Sequence, residues 1–152
     1  MMNYSQNPDD QDEPIPVAVA VRVKKITEPH QKSVILSPKQ SEITLAGGSV
    51  GPEKFRFDHL LNENVSQEET FNRVLSPFLP LIYDGFDLFV ITYGGTGTGK
   101  TYTVFGPDLG PLGTEEDAGI VPRFARHIFE NFNAAEMAVK VSSFDVTNDD
   151  IR

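Results

Sequence analysis

The chain has 152 residues, of which 39% are hydrophobic and 23% charged, a composition typical of one globular domain rather than of a disordered or fibrous chain. It contains no cysteine, which excludes disulfides and thiolate metal sites, and its three histidines are too scattered to predict a metal cluster. The net charge of −9 comes mostly from acidic residues within 9–13 and 108–117, so the sequence lacks the basic face of a nucleic-acid binder.

The N-terminal segment, residues 1–14, is polar, acidic and without periodicity, so we predict a disordered tail ahead of a folded part over 15–152. It has no basic stretch followed by an apolar one, which argues against a signal peptide. No apolar run approaches the ~20 residues that cross a bilayer. We therefore expect a cytoplasmic protein with neither a membrane nor a nucleic acid as partner.

Four segments in the first third of the folded part have the patterns of strands. Residues 17–23 alternate with a period of two, and the first half of the run is apolar on both faces. Two short apolar runs, 33–36 and 42–45, flank a polar turn and predict a hairpin at a sheet edge. Residues 54–58 alternate again and predict a further strand.

The first helix is predicted from a capping box. Ser66 and Glu69 have the spacing in which the serine side chain accepts from the third helical amide and the glutamate reaches back. Apolar residues then recur at three- and four-residue intervals as far as Ile82, with interruptions expected at Pro77 and Pro80.

The remaining elements alternate between strand and helix. Residues 88–93 form a continuous apolar run, which predicts a central strand covered on both faces. A short helix to about residue 105, a long loop over 106–119, a helix over 121–132 and a last strand over 137–146 follow. The predicted fold class is therefore α/β.

A glycine-rich segment directly after the predicted central strand matches the phosphate-binding P-loop. It reads Gly94-Gly95-Thr96-Gly97-Thr98-Gly99-Lys100-Thr101. Glycines adopt the conformations that turn successive amides toward phosphate oxygens. In such a loop, Lys100 is expected to reach the β and γ phosphates and the Thr101 hydroxyl to ligate magnesium. The alternative is a glycine-rich turn that binds no ligand. Tyr102, the residue after the loop, packs either in the core or against a nucleotide base.

The residues around this loop resemble the kinesin motor domain in order and spacing. The matching segments are 57–59, 66–69, 93–103 and 119–123, and 139–146 looks like a degraded version of the strand that follows in that family. The resemblance extends from Val17 to the end of the chain. It implies a P-loop NTPase of the kinesin motor type, with a truncated central sheet flanked by helices.

The resemblance also implies a site for ATP and Mg²⁺. The implied nucleotide-binding residues are Arg22, Gly94, Gly95, Thr96, Gly97, Thr98, Gly99, Lys100, Thr101 and Tyr102, with Thr101 as the magnesium ligand. Tyr102 matches the aromatic position that stacks on adenine. No catalytic residue is assigned, because the family's switch segments and main microtubule contacts lie downstream of a chain that resembles only the N-terminal part of the domain.

Three readings remain open. The first is a motor of the cytoplasmic cytoskeleton that couples ATP hydrolysis to movement on microtubules, contacted through regions outside this chain. The second is a kinesin-like scaffold of the Costal type, favoured by departures from the family pattern: Lys25 replaces the proline of Arg-x-Arg-Pro, Gly95 replaces a glutamine, and Ser143, Asp145 and Thr147 replace aromatic and acidic residues. The third is an unrelated P-loop hydrolase or kinase. We expect the 152-residue chain alone to hydrolyse little ATP.

Overall fold

The computed structural model describes residues 17–25, 34–48, 51–107, 115–131, 138–144, 146–147 and 150–151. The strands in these residues are β1 (Ala20–Arg22), β2 (Val34–Ser37), β3 (Glu42–Gly48), β4 (Gly51–Arg56), β5 (His59–Leu61), β6 (Val146–Thr147) and β7 (Asp150–Ile151). The helices are α1 (Gln67–Val74), α2 (Leu79–Tyr83), α3 (Lys100–Phe105) and α4 (Ile120–Asn131). The predicted tail, 1–14, lies outside the described residues. None of the helices in the described ranges has the length and apolar character needed to cross a bilayer.

The predicted hairpin is confirmed as part of an antiparallel sheet of order β2-β3-β4. A 3₁₀ turn, Pro38–Gln40, joins the first two strands. The strand predicted over 54–58 is observed as β4, Gly51–Arg56, which begins three residues earlier and ends two residues earlier than predicted. The buried carboxylate of Glu42 lies 3.0 Å from the Lys54 ammonium and 3.5 Å from the Arg56 guanidinium. The two cations of β4 thus compensate the charge that β3 buries.

The first predicted strand is shorter than expected and pairs in parallel with a strand that the sequence patterns did not indicate. Ala20 lies opposite His59, and Arg22 lies opposite Leu61. Val17 and Val19 are 77% and 50% exposed, so the burial that the apolar first half of this run predicts is wrong. The ladder covers only three residues of the run, and the residues on either side extend it: Val19 accepts from the His59 amide at 3.2 Å, and the Val23 amide donates to Leu61 at 2.9 Å.

The first helix begins where the capping box places it. The Ser66 Oγ accepts from the Glu69 amide at 3.0 Å, as predicted, whereas the Glu69 carboxylate pairs with Arg73 instead of reaching back. Beyond α1, Pro77 lies in a 3₁₀ turn and Pro80 lies in the first turn of α2, so both expected interruptions are confirmed. Proline fits these positions because a first turn leaves its amide without a helical partner.

The helices enclose a small apolar core. Phe71, Leu75 and Leu79 from the first two helices are buried against Ile120 of α4, with Ile82, Leu88 and Phe124 packed around them. Full burial of one such side chain is worth about 1.5–3 kcal/mol. This cluster holds α1 and α4 together beside α3.

Two predicted strands are not formed. Residues 88–93 have no regular secondary structure, and Ile91 and Tyr93 are 87% and 100% exposed. Residues 138–144 are likewise irregular and exposed, while 137 and 145 lie outside the described residues. A strand needs a neighbour to receive its hydrogen bonds, and no described segment pairs with either run.

Helix α3 approaches α4 closely through two glycines. A Cβ on Gly119 would lie 2.5 Å from the Val104 carbonyl oxygen, and one on Gly106 would lie 2.5 Å from the Asp117 carbonyl oxygen. The Gly119 amide donates to the Phe105 carbonyl at 3.2 Å. The helix that follows the glycine-rich loop is therefore fixed by backbone contact to the start of α4.

Candidate functional site

The glycine-rich loop leads directly into α3, as the sequence predicts. Gly97 has φ 79° and Gly99 has φ 100°, conformations that residues with a Cβ rarely adopt. A Cβ on Gly94 would lie 2.9 Å from the Thr98 Oγ1. These glycines are therefore needed for the path of the loop, a conformational freedom that a phosphate cradle also requires.

Gly95 differs from the other loop glycines. A Cβ built there would lie 3.7 Å from the Thr98 Cγ2, an ordinary van der Waals distance. The loop geometry therefore accepts a side chain at this position, and the absence of the glutamine that is usual in the resembled family has no steric cause within the loop.

The loop is braced internally by Thr98. Its hydroxyl donates to the Gly95 carbonyl at 2.8 Å, and its amide points at the same oxygen at 3.4 Å. This turn holds the middle of the loop in shape, while Thr96, at its outer edge, is exposed.

Two lysine ammonium groups converge on the loop from different parts of the chain. Lys100 donates to the carbonyls of Gly94 and Gly95, each at 2.8 Å. Lys24, which follows β1, donates to the Gly97 carbonyl at 2.8 Å. An ammonium has three N–H donors, so each lysine keeps donor capacity for an anion beside the loop. Lys24 was not among the predicted site residues.

The predicted base-binding pair, Arg22 and Tyr102, is brought together. The Arg22 guanidinium carbon lies 5.4 Å from the centroid of the Tyr102 ring, within cation–π range, and Tyr102 is 43% exposed. Burial lowers the pKa of Arg22, and the Tyr102 side chain opposes that effect. A guanidinium stays protonated in proteins, so Arg22 remains a cation.

Three acceptors hold the Arg22 guanidinium. Its Nη1 donates to the Gln67 Oε1 at 2.7 Å and to the Thr103 Oγ1 at 3.1 Å, and its Nη2 donates to the Val65 carbonyl at 3.3 Å. The predictions from sequence missed Gln67 and Thr103. Only their positions in the sequence could have indicated these two residues, because Gln67 follows the predicted cap and Thr103 follows Tyr102.

Thr101 is the second residue of α3 and is exposed. Across the described part of the chain, no group of three or more histidine, aspartate or glutamate side chains is placed to hold a metal. Mg²⁺ commonly takes one or two protein ligands and completes its shell with phosphate oxygens and water. A single threonine hydroxyl beside the loop fits that mode of binding.

A cavity of 1190 Å³ opens beside the loop. Its polar end includes Arg22, Lys24, Lys100 and Tyr102, and its apolar walls come from residues 86–93 together with β1 and α1. Small-molecule pockets commonly enclose about 300–1,000 Å³. The cavity is therefore large for one nucleotide. A bound nucleotide would contact the polar end of the cavity.

Comparison with known proteins shows similarity to the family that the loop and its flanking residues resemble. The model of the kinesin motor domain family matches residues 16–152. Kinesin-like protein KIF27 of Homo sapiens is 32% identical over 148 residues, covering 92% of this chain and 10% of that protein. Chromosome-associated kinesin KIF4B of Homo sapiens is 32% identical over 146 residues, covering 90% of this chain and 11% of that protein.

A plant protein is similar over nearly the whole chain. Kinesin-like protein KIN-5B of Arabidopsis thaliana is 30% identical over 163 residues, covering 98% of this chain and 15% of that protein. The chain thus spans about a tenth to a seventh of the length of these curated relatives.

Proposed function

Because this chain belongs to the kinesin motor domain family, we propose that it binds ATP with Mg²⁺ through residues 94–101, as the N-terminal part of a microtubule motor domain. The family has the fold of P-loop nucleotide hydrolases, and the strands and helices of this chain agree with that mixed α/β class. The third reading, an unrelated P-loop hydrolase or kinase, is therefore set aside.

The observation that carries the proposal is the convergence of two ammonium groups on a loop whose path requires glycine. The Lys100 and Lys24 ammonium groups each lie 2.8 Å from loop carbonyls, and each keeps donor capacity for an anion bound beside the loop. Lys100 would hold the β and γ phosphates, and Thr101 would ligate Mg²⁺. When bound, the ion neutralises phosphate charge and orients the nucleotide.

The base of the nucleotide is proposed to stack on Tyr102. The exposed part of the ring faces the same cavity as Lys100, and the Arg22 guanidinium lies near it. An aromatic face and a cation together suit a purine, which presents both a π surface and ring-nitrogen acceptors.

In the whole protein, we propose that ATP hydrolysis drives movement along microtubules in the cytoplasm, with the filament contacted through regions outside this chain. A kinesin-like scaffold with little turnover is the second candidate. Two departures from the family pattern favour it. Lys25 stands at the position of the family's proline, and Gly95 replaces the family's glutamine although the loop would accept a side chain there. Microtubule-stimulated ATPase activity of the complete protein decides between them, since a scaffold shows no stimulation.

Nucleotide binding is tested by calorimetric titration of the chain with MgATP. Lys100→Ala removes the charge at the loop, and we expect the affinity to fall at least about tenfold, since a hydrogen bond to a charged group is worth about 1.5–3 kcal/mol. Lys39→Ala, on the turn between β2 and β3, removes the same charge from another part of the fold and is expected to change nothing. Equal affinities of Lys100→Ala and the parent chain would refute the role of Lys100.

A further inference from the structure

Gln67 joins three segments of the chain through one buried carboxamide. It is the first residue of α1 and is 3% exposed. Its Oε1 accepts from Arg22 at 2.7 Å, and its Nε2 donates to the carbonyls of Tyr102 at 2.6 Å and Asp117 at 3.3 Å. One side chain thus links β1, α3 and the segment ahead of α4.

The orientation of this carboxamide is dictated by its partners. A guanidinium only donates and a backbone carbonyl only accepts, so the oxygen must face Arg22 and the NH₂ group must face the two carbonyls. A flipped amide would set a donor against a donor and an acceptor against two acceptors. Gln67 therefore has one arrangement that satisfies it, and in that arrangement it ties Arg22 and Tyr102 to the same group.

The consequence for Arg22 is a loss of freedom. An arginine side chain carries up to about 2 kcal/mol of rotamer entropy, which a nucleotide would otherwise remove on binding. With the Gln67 oxygen, the Thr103 hydroxyl and the Val65 carbonyl already bound, the guanidinium stays near the Tyr102 ring. Gln67 also donates to the Tyr102 carbonyl, so it fixes the backbone that carries the ring.

We propose that Gln67 is a positioning residue for recognition of the nucleotide base: it acts through Arg22 and Tyr102 and holds both in place. This inference rests on the proposed nucleotide binding. It divides the site into a phosphate part, built by the loop and its lysines, and a base part, whose geometry depends on a residue outside the loop. Gln67 hydrogen-bonds to Arg22 and to the carbonyls of Tyr102 and Asp117, and in the described residues no hydrogen bond joins its side chain to 94–101. We therefore expect its removal to weaken the base part more than the phosphate part.

The test compares two ligands that share the phosphates and differ in the base. ATP and inorganic tripolyphosphate are titrated, with Mg²⁺, into the parent chain and into Gln67→Met, which keeps the side-chain length and removes all three hydrogen bonds. We expect ATP affinity to fall about tenfold, the size of one hydrogen bond to a charged group. Tripolyphosphate affinity stays within about twofold, because the loop is unchanged.

Two further variants control the result. Gln40→Met makes the same change at an exposed position on the turn between β2 and β3, and is expected to leave both affinities unchanged. Gln67→Glu keeps an acceptor for Arg22 and loses the two amide donors. We expect it to retain a larger ratio of ATP to tripolyphosphate affinity than Gln67→Met.

Each outcome has one meaning. Equal losses for ATP and tripolyphosphate in both Gln67 variants would show that Gln67 only supports the fold, and would overturn the inference. A parent chain that binds tripolyphosphate as tightly as ATP would overturn base recognition and leave phosphate binding intact. A parent chain that binds neither ligand would overturn the proposed function and this inference with it.

Discussion

Lys24 shows how a single residue enters the site from a distance in sequence. Its ammonium donates to the Gly97 carbonyl, 73 residues further along the chain. The parallel pairing of β1 with β5 ends at Arg22 and Leu61, and the chain leaving that pair passes the glycine loop. The loop therefore has a second cation besides the lysine of its own pattern.

We predict that Lys24→Gln weakens binding of MgATP about two- to fivefold, because one exposed ion pair contributes up to about 1 kcal/mol. The loss should shrink as salt is raised, since exposed charges are screened. Titrations at low and high salt measure it, with Lys39→Gln as the charge-matched control. A loss of the same size in Lys39→Gln would assign the effect to net charge instead of to the loop.

At this scale, sequence could predict the loop residues, Arg22 and Tyr102 as candidates, because each belongs to a local pattern or to a family resemblance. It did not predict Gln67 or Lys24. Their roles depend on hydrogen bonds across 45 and 73 residues, formed only when β1, α1 and the loop meet. The type of side chain alone does not indicate which partner either residue will bind.

Among the elements, the antiparallel sheet β2-β3-β4 contains a titratable group that couples its stability to pH. The hydrogen bond from Lys54 lowers the pKa of Glu42, burial acts in the opposite direction, and the nearby charge of Lys54 and the contact with Arg56 lower it further. The folded state therefore favours the charged carboxylate.

The sign of the pH effect follows from that direction. Below the ordinary glutamate pKa of 4.5, the unfolded chain takes up a proton at Glu42 before the folded chain does. The stabilisation is thus present above pH 4.5 and is lost as the pH falls through the lowered folded value. We expect urea unfolding midpoints of the parent to fall more steeply below pH 4.5 than those of Glu42→Gln.

Glu53→Gln, which removes a charge from the neighbouring β4, is the matched variant for this measurement. It should retain the steep acid dependence of the parent chain. If Glu42→Gln and the parent lose stability in parallel as the pH falls, then Glu42 is not the group responsible.

Helices were predicted better than strands because helix signals are local. The Ser66 cap and the two prolines act within one or two turns, so their spacing in sequence is their spacing in the fold. The run 88–93 has the composition of a buried strand, but a strand exists only through its neighbours. The pairing of β1 with β5 was missed for the same reason, because the sequence of neither strand indicates which strand it pairs with.

For the whole molecule, the most consequential feature is the apolar wall of the large cavity. Phe89 and Ile91 are 84% and 87% exposed, and Val141 and Phe144, in the irregular segment 138–144, are similarly open. Large exposed apolar surface favours association and binding of apolar dyes. The composition of the chain is typical of a globular domain, but it does not specify which apolar residues are covered.

We predict that the chain binds an apolar fluorescent dye such as ANS and associates as its concentration rises. Phe89→Ser should lower both signals, because the side chain lies in the cavity wall. Phe129→Ser changes an aromatic of α4 that is 67% exposed and lies outside the cavity lining, and should lower them less. Dye titration and light scattering measure the two effects, and equal reductions by both variants would show that the cavity wall is not the associating surface.

The parallel pair β1–β5 has one more consequence. The two strands are hydrogen-bonded neighbours, yet the chain between them contains the entire β2-β3-β4 sheet. That sheet is thus an insertion between two strands that are already hydrogen-bonded to each other. We therefore expect a lengthened or shortened connection within that sheet to leave the alignment of Ala20 with His59 in place, and with it the position of Arg22 and Lys24 beside the glycine-rich loop.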